Sequence, residues 1–347
     1  MCIRDRAEDV PATPLSDRRE IPKGRVVPAV PSVAKPEQSY ALYLPAAYAA
    51  ERRWPIVYVF DPGGQGRRPV ELMRGAADRF GYLVAASNNS RNGPWQASLE
   101  AAAEMWDDTR RRLSIDERRI YFAGFSGGAR VAATLAQSCG CARGVFLVGA
   151  GFHTASPPTR RLAFSVFALV GWGDFNYDEL VELDAELDRL GVRHALRRFD
   201  GDHRWAPAAE WDGALAWSTL AEMKDGLRYR DAALVAAELA RVVQRGRARE
   251  RTGETAVALA EYRSALTVLD GLADTTAIAR RIAALEEDPS VRSAREQEQA
   301  DLRRQRVLET DILGLIDALR EAGGDRIPLQ VKAGQKIHLT HKFRIIK

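Results

Sequence analysis

Along the chain, short apolar runs alternate with longer stretches whose apolar positions recur every three or four residues. The runs Tyr40–Leu44, Pro55–Phe60, Tyr82–Ala86, Ile120–Ala123, Val145–Val148, Phe164–Val170 and His194–Phe199 read as strands. Most are nearly continuous in apolar residues rather than alternating, as strands covered on both faces must be. Between them the spacing predicts helices from about Gln96 to Leu113, from Ala129 to Gln137 and from Leu180 to Leu190. The last two are followed by Gly140 and Gly191, the residue type that ends a helix in a left-handed conformation. Such alternation predicts an α/β fold: a mostly parallel sheet with helices on both faces, whose ligand sits at the carboxyl ends of the strands.

The pattern changes along the chain. Residues 7–36 hold six of the 16 prolines and read as an extended, proline-rich lead-in. Residues 37–220 carry the strand–helix alternation, and all seven tryptophans lie between Trp54 and Trp217. A boundary is expected near 218–228. From 228 to 325 Ala, Arg, Glu and Leu dominate, which predicts an α-helical region. There Gly253, Ala258, Tyr262, Ala265 and Leu266 resemble the second helix of a tetratricopeptide repeat. The preceding stretch, about Ala232 to Gly246, fits only at Gly246, and Asp270 stands where proline is usual. This is one degenerate repeat, and a single repeat cannot bury its own face. Leu302, Leu308, Ile312, Leu313, Ile316 and Leu319 form roughly one face of a later helix, for packing or for docking a protein partner.

Both ends read as foreign. Met1–Arg6 resembles a translated adaptor, so residues 1–6 are expected to be a sequencing artefact and the natural N-terminus to be missing. Residues 326–347 form an atypical basic tail: four of the seven lysines lie there, and no acid follows Asp325.

Composition narrows the choice of function. At 347 residues, 46% hydrophobic and 28% charged, the chain can bury a sizeable core. No apolar run approaches the roughly 18 residues of a membrane span. Basic and acidic residues number 51 and 47, so a nucleic-acid binder driven by phosphate contacts is not expected. Three cysteines are too few for a disulfide framework, and the Cys139/Cys141 pair lacks the second pair of a zinc site. That pair reads as small, half-buried residues at a helix end. No Walker-type loop, dinucleotide fingerprint or metal-ligand cluster occurs, so neither cofactor nor metal is expected.

The chemistry-bearing motif is Gly124-Phe125-Ser126-Gly127-Gly128, a G-x-S-x-G match. An apolar strand runs into it and a helix leaves it, which is the context of a nucleophile elbow. A serine there needs a base to take its proton. Of five histidines, His338 and His341 lie in the atypical tail, His194 sits within a strand, and His153 follows the strand after the elbow. His203, in Gly201-Asp202-His203-Arg204-Trp205, follows the last strand, where the base belongs. The orienting acid is expected to be Asp174, in Gly171-Trp172-Gly173-Asp174, with Asp202 its competitor.

On Tyr40–Pro45, the elbow, Asp174-Phe175-Asn176-Tyr177 and Gly201–Trp205, residues 37–220 resemble α/β-hydrolase serine esterases of the polyhydroxybutyrate-depolymerase and feruloyl-esterase type. The resemblance implies a Ser126–Asp174–His203 triad and an acyl-enzyme on Ser126. The oxyanion hole would use the backbone N–H of Gly127 and of Gly63, the latter in Asp61-Pro62-Gly63-Gly64, where relatives begin with His-Gly. Asp61 itself is expected to cap that turn. The short link Phe152–Leu162 leaves no room for a large lid. Asn88, Asn89, Trp172 and Trp205 are candidate pocket residues, with Ser90, Arg91 and Trp95 nearby. The expected substrate is a small or polymeric ester. The alternatives are a prolyl-oligopeptidase-like serine peptidase, or an inactive hydrolase-like scaffold binding a protein through its helical half. Relatives of this kind are often exported by bacteria, which points to the periplasm or cell envelope.

Overall fold

The structure, a computed structural model, describes residues 21–321. The adaptor-like start, the first part of the lead-in, the tail with His338 and His341, and the side chains of Ile312, Leu313, Ile316 and Leu319 lie outside the described residues.

Eight strands form one sheet: β1 (Val26–Pro31), β2 (Ser39–Tyr43), β3 (Trp54–Phe60), β4 (Leu83–Ser87), β5 (Ile115–Phe125), β6 (Ala142–Val148), β7 (Ser165–Gly171) and β8 (His194–Phe199). Their spatial order is β1-β2-β4-β3-β5-β6-β7-β8. β1 and β2 run antiparallel to their neighbours, and every other pairing is parallel. Every residue of β3 and β4 is buried, so both faces of the sheet are covered. The covering helices are α1 (Arg67–Phe80), α2 (Trp95–Arg112), α3 (Gly127–Cys139), α4 (Tyr177–Leu190) and α5 (Ala208–Lys224). α1 packs on α5, α3 on β5 and β6, and α4 on β7 and β8. This is the mostly parallel sheet with helices on both faces that the alternation predicts. Gly140 and Gly191 take the left-handed conformation that ends α3 and α4.

Three elements go beyond the sequence expectations. β1 lies inside the proline-rich lead-in. It is an edge strand, where Pro28 and Pro31 need not donate to a ladder on both sides. α1 carries a one-sided apolar face of Val70, Met73, Ala76, Ala77 and Phe80. α5 is buried nearly all round, so it has no amphipathic signature to read. It also carries Glu222, fully buried, which accepts hydrogen bonds of 2.8 Å from both Tyr82 and Tyr121. Arg119 and Arg228 face the same carboxylate at 3.4 and 2.8 Å, so the buried charge is paired.

Cys139 and Cys141 form a disulfide, with Cα atoms 5.1 Å apart. This differs from the reading of two unlinked small residues. The left-handed Gly140 between them turns the chain back at the end of α3 and brings the sulfurs together.

His194 is structural, as its strand position suggests. Its Nδ1 lies 2.8 Å from the Val192 carbonyl, and its Nε2 lies 3.2 Å from Asp184 and 3.7 Å from Asp188. Burial works against the charged ring, but the two carboxylates and the carbonyl outweigh it and raise its pKa above 6.5. A raised folded-state pKa gives stability that is fully present below 6.5 and is lost as pH climbs through the folded value. Substituting His194→Gln is therefore expected to lower Tm at pH 5.5 and to matter progressively less above neutrality. Equal Tm losses at pH 5.5 and pH 9 in thermal melts would refute this.

The chain divides into two compact units. The first runs to Leu239 and takes in Thr267–Ala273; the second comprises Ala240–Leu266 and the chain from Asp274 on. Four helices follow the sheet: α6 (Ala232–Arg251), α7 (Thr255–Leu269), α8 (Thr276–Glu286) and α9 (Pro289–Glu321). Within the second unit, Gly246 of α6 backs directly onto the ring of Tyr262, leaving no space for a side chain. Tyr262 donates to Glu250 at 2.9 Å, and Arg281 pairs with the same carboxylate. Among the described residues, no helix is long and apolar enough to cross a membrane.

Candidate active site

The site begins at the end of β5. Phe60 of β3 pairs with Gly124, which sets the ends of the two strands side by side. Ser126 then turns at φ 52° and ψ −124°, the one positive φ among described non-glycine residues. Its N–H is held by the Val148 carbonyl at 2.8 Å, and its own carbonyl accepts from Ala129, starting α3. The flanking glycines are demanded by space. A Cβ on Gly124 would enter the Gly128 carbonyl, and one on Gly128 would enter the Phe60 carbonyl. The close strand–helix approach expected of an elbow is thus present, with the serine hydroxyl standing at the amino end of α3.

The structure brings the other two expected residues to it. His203 Nε2 lies 2.9 Å from Ser126 Oγ, and His203 Nδ1 lies 2.8 Å from Asp174 Oδ1. Asp174 is 1% exposed, at the end of β7, and His203 follows β8. Asp202 stands apart: its side chain is 77% exposed, near Arg204. His153 faces elsewhere, accepting from the Ala155 N–H and meeting Trp95 edge-on.

Sequence reasoning passed over Asn176. Its N–H donates to Asp174 Oδ1 at 2.8 Å, and its side-chain amide donates to the Gly149 carbonyl at 2.7 Å. Gly149, at φ +61°, lets the loop after β6 pass against the acid: a Cβ there would stand 2.8 Å from Asp174 Oδ2 and 3.2 Å from His203 Nδ1. Asp174 Oδ2 is buried without a hydrogen-bond partner among the described residues. Phe175 was also passed over as a contact. It is 54% exposed and lies tilted against His203, with ring centroids 4.0 Å apart and planes at 35°.

A second tie braces the site from behind. Arg130 of α3 donates through both terminal nitrogens to the Glu179 carboxylate of α4, at 2.9 and 2.8 Å. Arg130 also donates to the Phe152 carbonyl, and Glu179 accepts from the Gly151 N–H at 2.7 Å. One ion pair thus joins the helix that follows Ser126, the loop after β6 and the helix that follows Asp174.

Other expected residues are placed differently from their anticipated duty. The Gly63 N–H, read as an oxyanion donor, points into the Asp61 carboxylate at 2.8 Å. Asp61 caps the turn as expected, and it also accepts from Gln65 N–H at 3.1 Å and from the Trp205 indole at 2.7 Å. Trp205 is 3% exposed, so it is a packing residue that ties the β3 and β8 loops together rather than an open wall. Asn88 donates to Pro28 O and Ser39 Oγ, while Asn89 accepts from Ser39 N–H and donates to Glu37 O. Both therefore secure the β1–β2 connection. Trp172 stacks on Tyr177 at 5.7 Å, with Arg198 over its ring. The link between β6 and β7 carries no helix or strand. Among the described residues, no group of three or more His, Cys, Asp or Glu side chains is placed to hold a metal ion.

No protein-family model and no curated protein matches this chain. Solved structures are similar to part of it. An esterase from the archaeon Pyrobaculum calidifontis is 17% identical over 59% of this chain and 87% of its own, with a TM-score of 0.46. A ferulic acid esterase is 16% identical over 56% and 97%, also at 0.46. An esterase from Mycobacterium marinum is 21% identical over 56% and 82%, at 0.44.

Proposed function

We propose that the chain is a serine hydrolase that cleaves carboxylic esters through an acyl-enzyme on Ser126. The observation that carries this reading is the unbroken Ser126–His203–Asp174 relay, with contacts of 2.9 and 2.8 Å, on a strained elbow. A serine hydroxyl, an imidazole and a buried carboxylate in line make a nucleophile, a base and an orienter. A plain structural hydrogen-bond chain would not need the strained serine backbone.

In the resting site, neutral His203 donates its Nδ1–H to Asp174 and accepts the Ser126 hydroxyl proton at Nε2. Ser126 Oγ attacks the ester carbonyl carbon, the proton passes to Nε2, and the carbonyl π electrons move onto oxygen. The Gly127 N–H, at the amino end of α3, faces the charge that develops there. As the tetrahedral species collapses, the alcohol oxygen leaves with the Nε2 proton and the acyl group stays on Ser126. Water, deprotonated by His203, then attacks the acyl carbon, releasing the acid and restoring Ser126. Asp174 orients the ring through Nδ1 and stabilises the imidazolium.

Esters are favoured over peptide amides because the link between β6 and β7 carries no helix or strand to grip a peptide. We further read α6 and α7 as one degenerate tetratricopeptide-like pair, on the seating of Tyr262 against Gly246. An oxidising, extracytoplasmic compartment suits the Cys139–Cys141 disulfide. The test is intact-mass analysis after exposure to a fluorophosphonate, run beside turnover of short acyl esters and peptide anilides. A single adduct with ester turnover in excess of amide turnover is expected. A folded protein that takes no adduct would refute the reading, and faster amide cleavage would shift it to a peptidase.

A further inference from the structure

Building on that reading, we infer that the side-chain amide of Asn92 is the second oxyanion donor, in place of a backbone N–H from the loop after β3. The tetrahedral intermediate needs two donors aimed at one oxygen. Gly127 supplies one. The loop after β3 has no second to give. Pro62 has no N–H, and the next three are turned inward: Gly63 and Gln65 to Asp61 Oδ1, and Gly64 to the Asp61 carbonyl at 3.2 Å. The carboxylate that holds two of them is 6% exposed and is further fixed by the Trp205 indole. Freeing Gly63 would therefore strand a buried charge.

Asn92 stands where a donor is missing. Its N–H donates to the Pro62 carbonyl at 2.8 Å, and its neighbour Arg91 bridges to Gly63, so its backbone is locked to the same loop. Its side chain lies over the residue after the nucleophile. A Cβ on Gly127 would fall 2.9 Å from Asn92 Cγ and 3.4 Å from Nδ2, and closer still to Oδ1. The absence of a side chain at Gly127 is what admits the amide. Asn92 is exposed, and its amide makes no hydrogen bond to protein among the described residues. It is free to turn about Cβ–Cγ, and an oxyanion selects the orientation that presents Nδ2–H. The amide is spent on nothing else and sits beside the one backbone donor already in place.

Two variants test this. Asn92→Asp keeps the shape and replaces the donor by a negative charge; Asn92→Ala removes both. Each is expected to lower kcat for a short acyl ester by about 100- to 1000-fold with little change in KM. Fluorophosphonate labelling of Ser126 should slow in parallel, because the phosphonyl oxygen occupies the same position. Melting temperatures should stay near that of the parent, and in Asn92→Ala, which adds no charge, the pH profile of kcat/KM should not move, since the His203–Asp174 pair is untouched. A kcat within about threefold of the parent in Asn92→Asp, while turnover still depends on Ser126, would overturn the assignment alone. A parent that neither labels nor turns over ester would overturn the hydrolase reading and this assignment with it.

Discussion

Replacing Ser126 by alanine is expected to cut ester turnover by about 10⁴- to 10⁶-fold and to abolish fluorophosphonate labelling. The whole relay converges on one oxygen: without Oγ, the His203 Nε2 base has nothing to deprotonate but water. Stability should separate two substitutions that are equally inactive. Alanine keeps a Cβ, so the backbone at φ 52° and ψ −124° stays strained and Tm should hardly change. Glycine removes that strain, which costs about 1–3 kcal/mol, against about 0.5–1 kcal/mol of extra chain entropy. Ser126→Gly should therefore melt at or above the parent while turning nothing over. Persistent labelling in Ser126→Ala would move the nucleophile elsewhere. A Ser126→Gly protein that melts well below the parent would show that the elbow is not strained.

The second large effect is expected at the acid. Asp174→Asn should lower kcat by about 10⁴-fold with the fold intact. An asparagine can present its NH₂ to Nδ1, which favours the tautomer with the proton on Nε2, where it cannot accept from Ser126. It also takes away the charge that supports the imidazolium. Asp202→Asn should stay within a few-fold of the parent, because its carboxylate is 77% exposed and beside Arg204. Steady-state kinetics of the two variants decide the matter: the opposite ranking would assign the acid to Asp202.

How much of this could be read from residues alone depends on how local the cause is. The elbow was legible because its requirements are local: an apolar strand, glycines at 124 and 128, and a helix behind them. The candidate acid and base, Asp174 and His203, could be named from the sequence because each follows a strand that the periodicity marks. That the Gly63 N–H is engaged was not legible, because its acceptor, Asp61, is a neighbour whose capping role could be foreseen but whose consequence for donation could not. Asn92 and Asn176 carry no pattern. Asn92 matters through Gly127 and Asn176 through Gly149, both far off in sequence, and the local contact of Asn176 with Asp174 has no periodicity to announce it. The same holds for α5, whose burial on nearly all sides erases the periodicity that would announce a helix. The disulfide was missed because only the left-handed turn at Gly140 makes a C-x-C pair close on itself.

The Arg130–Glu179 pair bears on when the catalytic geometry is assembled. It clamps α3 to α4, and through Gly151 and Phe152 it fixes the loop that passes beside Asp174. The separation of nucleophile and acid is thus set by packing behind the site and does not wait for substrate. Such a protein meets the entropic cost of alignment once, during folding, and each later encounter starts from an aligned relay. For the ester hydrolysis proposed above, binding energy from the substrate is then left for choosing among esters rather than for aligning the relay.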